Sequence, residues 1–377
     1  MTANWCAAAL LAAAGSSAQG TAESWQVYFG TDGPTARGIY RSSFDARMGR
    51  LGSVELAAEI DAPEFLALHP GGRTLYAAAN PKEGPAVVAY SIGTEGALTQ
   101  VSRSPTSDGR AAHLAVHPSG RFVLTAQYGG GSVALFPLDD DGRLGAARVT
   151  RHEGGSKVVP GRQDAPHPHW CGFSPDGRFA LVPDLGLDGV VIYRVDEARP
   201  SIERHGFAPS IPGGGPRHLR FSPDGRFVYL LNELSLSVTV YAWDADAGAA
   251  RLLANVPTLS EELKSKEAFN SAAEIVVHPS GRFVYCSNRG HDTVTVLRAD
   301  PATAQLEAIQ LQPVRGAFPR NINLSPDGAW LLAAGADSNT VSVHRVDPTS
   351  GELTYQTRGV VNVPAPICIV FARAPAR

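Results

Sequence analysis

GPRHLRFSPDGRFVYLLNEL, residues 215–234, holds an apolar hairpin between an arginine, Arg217, and a glutamate, Glu233. The apolar runs on either side of Ser-Pro-Asp-Gly read as strands, and the Pro and Gly supply the dihedrals of the turn that joins them. Paired strands of a hairpin run antiparallel, so the start of the first and the end of the second lie at the same end of the unit. The two charges therefore meet at one end of a sheet.

The hairpin recurs. HPGGRTLY opens at His69, HPSGRFVL at His117, SPDGRFAL at Ser174, SPDGRFVY at Ser222, HPSGRFVY at His278 and SPDGAWLL at Ser325, with spacings of 48, 57, 48, 56 and 47 residues. A period of that length, built of short strands, is the mark of a propeller blade of four strands. Each unit continues into a third strand, as in AVVAYSI, GVVIYRV and SVTVYAW, read as the alternation of a half-buried sheet, and a variable fourth. Six copies make six blades, and both ends of the chain are left over. PAPICIVF at 364–371 resembles a first strand, while SWQVYFGT, ARGIYRSSFD and GSVELAAE resemble strands two, three and four. Joining them makes a seventh blade and leaves no free edge between first and last. The expected fold is all-β, a seven-bladed propeller in one domain over residues 24–373.

Composition agrees with that class. The 39 glycines and 28 prolines are spread along the chain, as many turns between short strands require. A net charge of -3, from 33 basic and 36 acidic residues, gives no electrostatic reason to expect nucleic acid or an anionic membrane as partner. A small molecule is the expected ligand, and the protein a monomer or weak homo-oligomer. Residues 1–20, MTANWCAAALLAAAGSSAQG, read as an export leader with Ser16-Ser17-Ala18 at the cleavage site, which implies a periplasmic or secreted protein; a disordered cytoplasmic extension is the alternative. Four widely spaced cysteines, Cys6, Cys171, Cys286 and Cys368, read as core filler rather than a disulfide frame or zinc site.

Aligned on the turn, the units define two columns. Five residues before the opener stand Glu64, Ala112, His169, Arg217, Ala273, Arg320 and, in the composite unit, Ile367. Eleven after it stand Asn80, Tyr128, Leu185, Glu233, Arg289 and Ala336. Both columns open on one face of the ring, at the mouth of the central channel. His169, Arg217, Glu233, Arg289 and Arg320 form the candidate polar site there, with Glu64, Tyr128, His167 and His218 as further ligand contacts. A plain blade-stabilising ion pair between Arg217 and Glu233 is the bland alternative. His69, His117 and His278 occupy a column that elsewhere holds serine, so they read as turn caps. His167 and His169 lack a carboxylate cluster beside them and are not read as metal ligands; no cofactor is expected. Two inserts, one around HEGGSKVVPGRQDAPHPH with Lys157 and Arg162, the other TLSEELKSKEAF with a short helix, precede inner strands where substrate selectivity belongs.

In YFGTDGPTARGIY, PEFLALHPGGRTLYAA, AQYGGGSV, PHPHWCGFSPDGR, VYCSNRG, FPRNINLSPDG and above all the GPRH…NEL pairing, the chain resembles the seven-bladed propeller lactonases, a family that includes 6-phosphogluconolactonases and a fungal carboxymuconate cycloisomerase. The resemblance spans nearly all the chain after the leader. It implies a catalytic histidine at His169, paired arginines at Arg217 and Arg289, a carboxylate at Glu233 and a further arginine at Arg320. Departures at YAAANPKEG and YFGTD border the mouth and bear on the substrate, not the fold.

Opening a lactone needs a deprotonated water, a positive environment for the oxyanion and a proton for the departing alkoxide. Glu233 is read as general base or water-orienting group, Arg217 and Arg289 as oxyanion ligands, and His169 as proton donor or positioning group, so that Glu233→Gln loses roughly 10²- to 10⁴-fold in turnover with the fold intact. Forked guanidinium groups suit a carboxylate or a phosphate on the substrate. The expected function is hydrolysis of a sugar-acid lactone, as in carbohydrate metabolism. A muconate-type cycloisomerase, or a propeller that only binds, are the alternatives.

Overall fold

In the six complete repeats the second and third strands are buried on both faces along most of their length. The computed structural model describes residues 24–374, and within them the third strand of the Ser222 repeat, Ser237–Asp244, is buried at six of its first seven positions. Gly189–Asp196 is buried through its first five residues. The half-buried alternation expected for these strands is confined to the fourth, as in Ser201–Pro209 and Ala249–Pro257. The reason is the stacking: each sheet faces another sheet on both sides, so only its outer edge meets water.

Seven sheets are arranged as a seven-bladed β-propeller. Blades are numbered here from the His69 repeat. Blade 1 begins at Phe65–Leu68, blade 2 at His113–Val116, blade 3 at Gly172–Phe173, blade 4 at Pro216–Phe221, blade 5 at Ser271–Val277 and blade 6 at Pro319–Leu324. Blade 7 takes its inner strand, Pro366–Arg373, from the C-terminal end and the rest from the N-terminal end, with Ser24–Thr31 antiparallel to it and Phe29 opposite Ile369. Gly38–Asp45, then Arg50–Leu51 and Glu55–Glu59, complete that sheet. The composite closure read from the two chain ends is present, and the leader expected in residues 1–20 lies outside the described residues.

Packing follows the same plan. Seven apolar clusters occupy the seven interfaces between neighbouring blades, for instance Leu231, Val238 and Val284 with Cys286 between blades 4 and 5. Val27, Phe29 and Ile369 pack with Leu332 and Val341 between blades 6 and 7. Cys171, Cys286 and Cys368 are free, buried thiols. Polar ties sit on the turn side of the ring. His69, His117 and His278 donate Nε2–H to the carbonyls of Gly120, Gly177 and Gly328 in the next blade, at 3.1, 3.0 and 3.2 Å. His117 Nδ1 also pairs with Ser119, so the histidines cap their own turn and latch the neighbouring one. Gly177 has φ +73°, and a Cβ there would lie 2.9 Å from His117 Nε2, so both dihedral and contact call for glycine.

The short helix expected in the second insert is Glu261–Lys264, capped by Ser260, whose Oγ accepts the Leu263 N–H. None of the described helices is long and apolar enough to cross a membrane.

Phe29 is fully buried on the strand that closes the ring. Phe29→Ala is expected to cost about 3–5 kcal/mol of unfolding free energy, read by urea titration, because the cavity opens where the two chain ends meet. A loss under about 1 kcal/mol would show that closure does not depend on this contact.

Candidate active site

Strand irregularity builds the site. In blade 4, Pro216 pairs with Asn232 and His218 with Leu231, so Arg217 is the unpaired residue of a β-bulge. In blade 6, Pro319 pairs with Gly335 and Asn321 with Ala334, which leaves Arg320 in the same position. Blade 5 skips from Ala272 to Ile275, with Ala273 and Glu274 in the bulge. A regular strand sends consecutive side chains to opposite faces. The bulge turns two in a row toward the channel, and both Arg217 and His218 line the recess at its mouth.

Blade 3 reaches the mouth differently. Only Gly172–Phe173 pair regularly there, because Pro168 has no N–H to donate and touches the ladder as an isolated bridge to Asp184. The Asp184 carboxylate takes over, accepting the His167 N–H at 2.7 Å, and the stretch leaves His169 facing the recess.

Glu233 is the centre of the charge network. Its Oε2 accepts from Arg217 Nη1 at 2.6 Å and lies 3.2 Å from Arg289 Nη2, while Oε1 accepts from Arg162 Nη2 at 2.7 Å. The same Arg217 nitrogen bonds His169 Nε2, and Arg217 Nε donates to the Ala273 carbonyl at 2.7 Å. Arg289 donates to the Ala272 carbonyl and lies over the Phe318 ring, 5.2 Å from its centroid. Glu233, Arg217, Arg289 and His169 are all under 7% exposed. One blade-stabilising ion pair would need one arginine, and this carboxylate has three.

Burial alone would raise the Glu233 carboxyl, but Arg217, then Arg289 and His169 and the Arg162 hydrogen bond outweigh it and hold the group well below the ordinary carboxylate range. It is an anion at any physiological pH. Burial, and then the neighbouring Arg217 charge, hold His169 well below the usual imidazole value, so that ring is neutral. Burial and the Arg217 charge push Arg289 down to about 9, which leaves it cationic at neutral pH.

Glu64, Phe65, Ala112, His169, Arg217, His218, Arg320 and Ile367 together form the wall of the recess. Six of the seven inner-column residues thus line one recess, Ala273 being the exception. Arg320 has no carboxylate within ion-pair reach among the described residues. Glu64 is engaged separately: it accepts from Asn80 at 2.6 Å and pairs with Arg110, which also reaches Asp32 at 3.2 Å. Burial raises the Glu64 carboxyl, opposed by the Arg110 charge.

His167 and Tyr128 stack at 4.5 Å, with His167 Nδ1 donating to the Tyr128 carbonyl, and the Tyr128 edge meets His169 at 5.4 Å. They stand beside His169, outside the recess lining, and the imidazoles of His167 and His169 have separate partners. Of the two basic residues in the first insert, Arg162 enters the site, 3.4 Å from the Tyr128 hydroxyl, and Lys157 is exposed. The insert is pinned by Gln163, fully buried, whose amide donates to the Leu185 carbonyl and to Asp188. Asp188 in turn accepts the N–H groups of Gly213 and Gly215 at the entry to blade 4. Arg110, Arg220, Glu274 and Asn321 were not among the expected site residues; the last two stand one place after Ala273 and Arg320, where strand alternation would send them away from the channel.

The chain matches the model of the lactonase family, described as a seven-bladed β-propeller, over residues 26–371. It is 30% identical to a 6-phosphogluconolactonase of Bacillus subtilis over 338 residues, 89% of this chain and 95% of the relative. A 6-phosphogluconolactonase of Formosa agariphila is 29% identical over 334 residues, 86% of this chain and 92% of its own length. Among solved structures, the periplasmic gluconolactonase of Pseudomonas aeruginosa superposes with a TM-score of 0.84 at 32% identity, covering 93% of this chain and all of that one. With this fold, this mouth and these relatives, the chain belongs to the seven-bladed β-propeller lactonase family.

Proposed function

We propose that the protein hydrolyses a sugar-acid lactone at the mouth of the channel, by attack of water on the ring carbonyl. The observation that carries this reading is Glu233 held by Arg162, Arg217 and Arg289 beside a neutral His169. Three guanidinium groups surround one carboxylate and a fourth, Arg320, lines the same recess without a counter-charge among the described residues, so the site is electropositive where a carbonyl oxygen would gain charge. Buried donors of this kind stabilise an oxyanion far better than water does, because they are already oriented. Glu233 fixes the arginines and orients the attacking water; its depressed affinity for protons makes it a weak base. Arg320 and Arg289 bind the oxyanion or an acidic group of the substrate, and His169 hydrogen-bonds the lactone.

Of the arginines on Glu233, Arg162 is the most exposed, with 39% of its side chain accessible. It belongs to the insert and can exchange Glu233 for a substrate anion. Likeness to a relative titled periplasmic supports export for this chain, and an exported enzyme would meet unphosphorylated aldonolactones rather than 6-phosphogluconolactone. Hydroxyl, phosphate and carboxylate substituents on the lactone are therefore the variables to compare.

A pH-stat panel of aldonolactones, phosphorylated and not, is expected to show acid release by the parent. Glu233→Gln should lower turnover roughly 10²- to 10³-fold. It should also cost stability, about 3–5 kcal/mol, since two buried cations lose their counter-charge. A folded variant with parental turnover would remove Glu233 from the reaction. Arg162→Ala is expected to raise KM for anionic lactones by about tenfold, the worth of one charge-assisted hydrogen bond, with a smaller change for neutral ones. Equal KM changes for both classes would deny Arg162 the anion.

A further inference from the structure

A second polar cluster, centred on Glu274 and His218, adjoins the arginines. Glu274 is fully buried, in the bulge of blade 5. Its Oε1 receives Arg220 Nη2 at 3.0 Å and the Ile275 N–H at 3.1 Å, and its Oε2 receives Asn321 Nδ2 at 2.7 Å. The orientation of the Asn321 amide is settled by its other end, since Oδ1 accepts the Ile369 N–H at 3.0 Å. Guanidinium, backbone N–H and amide nitrogen can only donate, so Glu274 accepts from all three through both oxygens, and the Arg220 guanidinium at 3.0 Å favours its ionised form.

The remaining partner is His218, whose Nδ1 lies 2.9 Å from Glu274 Oε1. Facing an ionised acceptor, Nδ1 must carry the proton. Nε2 then carries the lone pair. That nitrogen is buried and has no hydrogen-bond partner among the described residues, and the ring lines the recess with His169, Arg217 and Arg320. His169 has the opposite polarity. Arg217, an obligate donor, bonds its Nε2, so its proton is on Nδ1, also buried and unpartnered. The two ring centroids are 5.3 Å apart. Two neighbouring rings that line one recess thus carry, between them, one unpartnered acceptor and one unpartnered donor among the described residues.

We propose that His218 Nε2, oriented by Glu274, is the general base of the lactone hydrolysis. This rests on the lactonase reading of the same mouth. As the water oxygen bonds to the carbonyl carbon, its proton passes to Nε2, and the imidazolium formed is stabilised by Glu274. When the bond from that carbon to the ring oxygen breaks, the same proton passes to the departing oxygen. Lactone and water become hydroxy acid, and no other reactant is required. His169 Nδ1–H holds the attacking or the carbonyl oxygen. His218 is the catalytic residue and Glu274 the positioning residue, an arrangement in which a buried carboxylate fixes tautomer and ring orientation.

The groups facing His218 set its pH behaviour. Burial first, then Arg217, Arg220 and Arg320, hold it well below the usual imidazole value, with Glu233 opposing; Glu274 touches it directly, and His113, His169 and the Phe65 ring pack on it. Burial raises the Glu274 carboxyl against the Arg220 charge. Protonating either member removes the lone pair from the recess, so the acid limb of kcat/KM belongs to the pair.

The test uses D-glucono-1,5-lactone in the pH-stat, with His218→Gln and Glu274→Gln checked for fold by circular dichroism. His218→Gln is expected to lose roughly 10²- to 10⁴-fold in kcat with KM within about threefold. Glu274→Gln should move the acid limb down by about one unit or more, because the imidazolium loses its counter-charge. A folded His218→Gln with kcat within about threefold of parent, or an unmoved limb in folded Glu274→Gln, overturns the proposal. Should Glu274→Gln fail to fold, ¹⁵N-histidine NMR of the parent decides: an Nδ1–H tautomer at His218 supports the base, an Nε2–H tautomer overturns it. A parent that opens no lactone at all overturns the hydrolase reading itself, a result distinct from an active parent with equally active variants.

Discussion

Antiparallel pairing of Pro366–Arg373 with Ser24–Thr31 is the constraint on which the ring depends. Without it, blades 6 and 1 would each expose an apolar face, and the clusters that include Val27, Phe29 and Ile369 on one side and Tyr28, Ile39 and Cys368 on the other would be open to water. Closure also has a geometric effect. It brings residues from blades 3, 4, 5 and 6, far apart along the chain, to one axis, where His169, Arg217, Glu233, Arg289 and Arg320 meet.

The channel mouth is expensive to build. Several guanidinium groups and a carboxylate are taken out of water, and the attraction among them only partly offsets the lost hydration. A ring held by seven apolar interfaces can support that cost, and the latches from His69, His117 and His278 to the following blade add polar ties at the opposite end of the hairpins. The result is a rigid set of donors. Arg217 is held through Nε by the Ala273 carbonyl and Arg289 by that of Ala272, so neither must reorganise when charge develops on a substrate.

The two carboxylates near the channel differ in what they can do with a proton. Glu233 is so heavily paired that it serves as a fixed negative charge. Glu274 leaves His218 with a single bond to one of its two nitrogens, and the other is buried without a partner among the described residues. The bulges make this possible, since a regular strand could present Arg217 or His218 to the channel but not both.

The repeat of Pro-Asp-Gly and Pro-Ser-Gly hairpins determined, by itself, the number of blades, the composite seventh blade and the columns from which Glu64, His169, Arg217 and Arg320 come. Those features are local: turn chemistry and apolar periodicity are written in consecutive residues. Third strands were misread as half-buried, because whether an apolar run has one covered face or two depends on the neighbouring sheet. Only the tertiary structure decided that Arg162 from an insert reaches Glu233, that Glu64 is occupied by Arg110, and that Glu274 bonds His218 and Asn321. Bulges and loop paths arise from long-range pairing and charge balance, and a period-two strand pattern contains no mark of either.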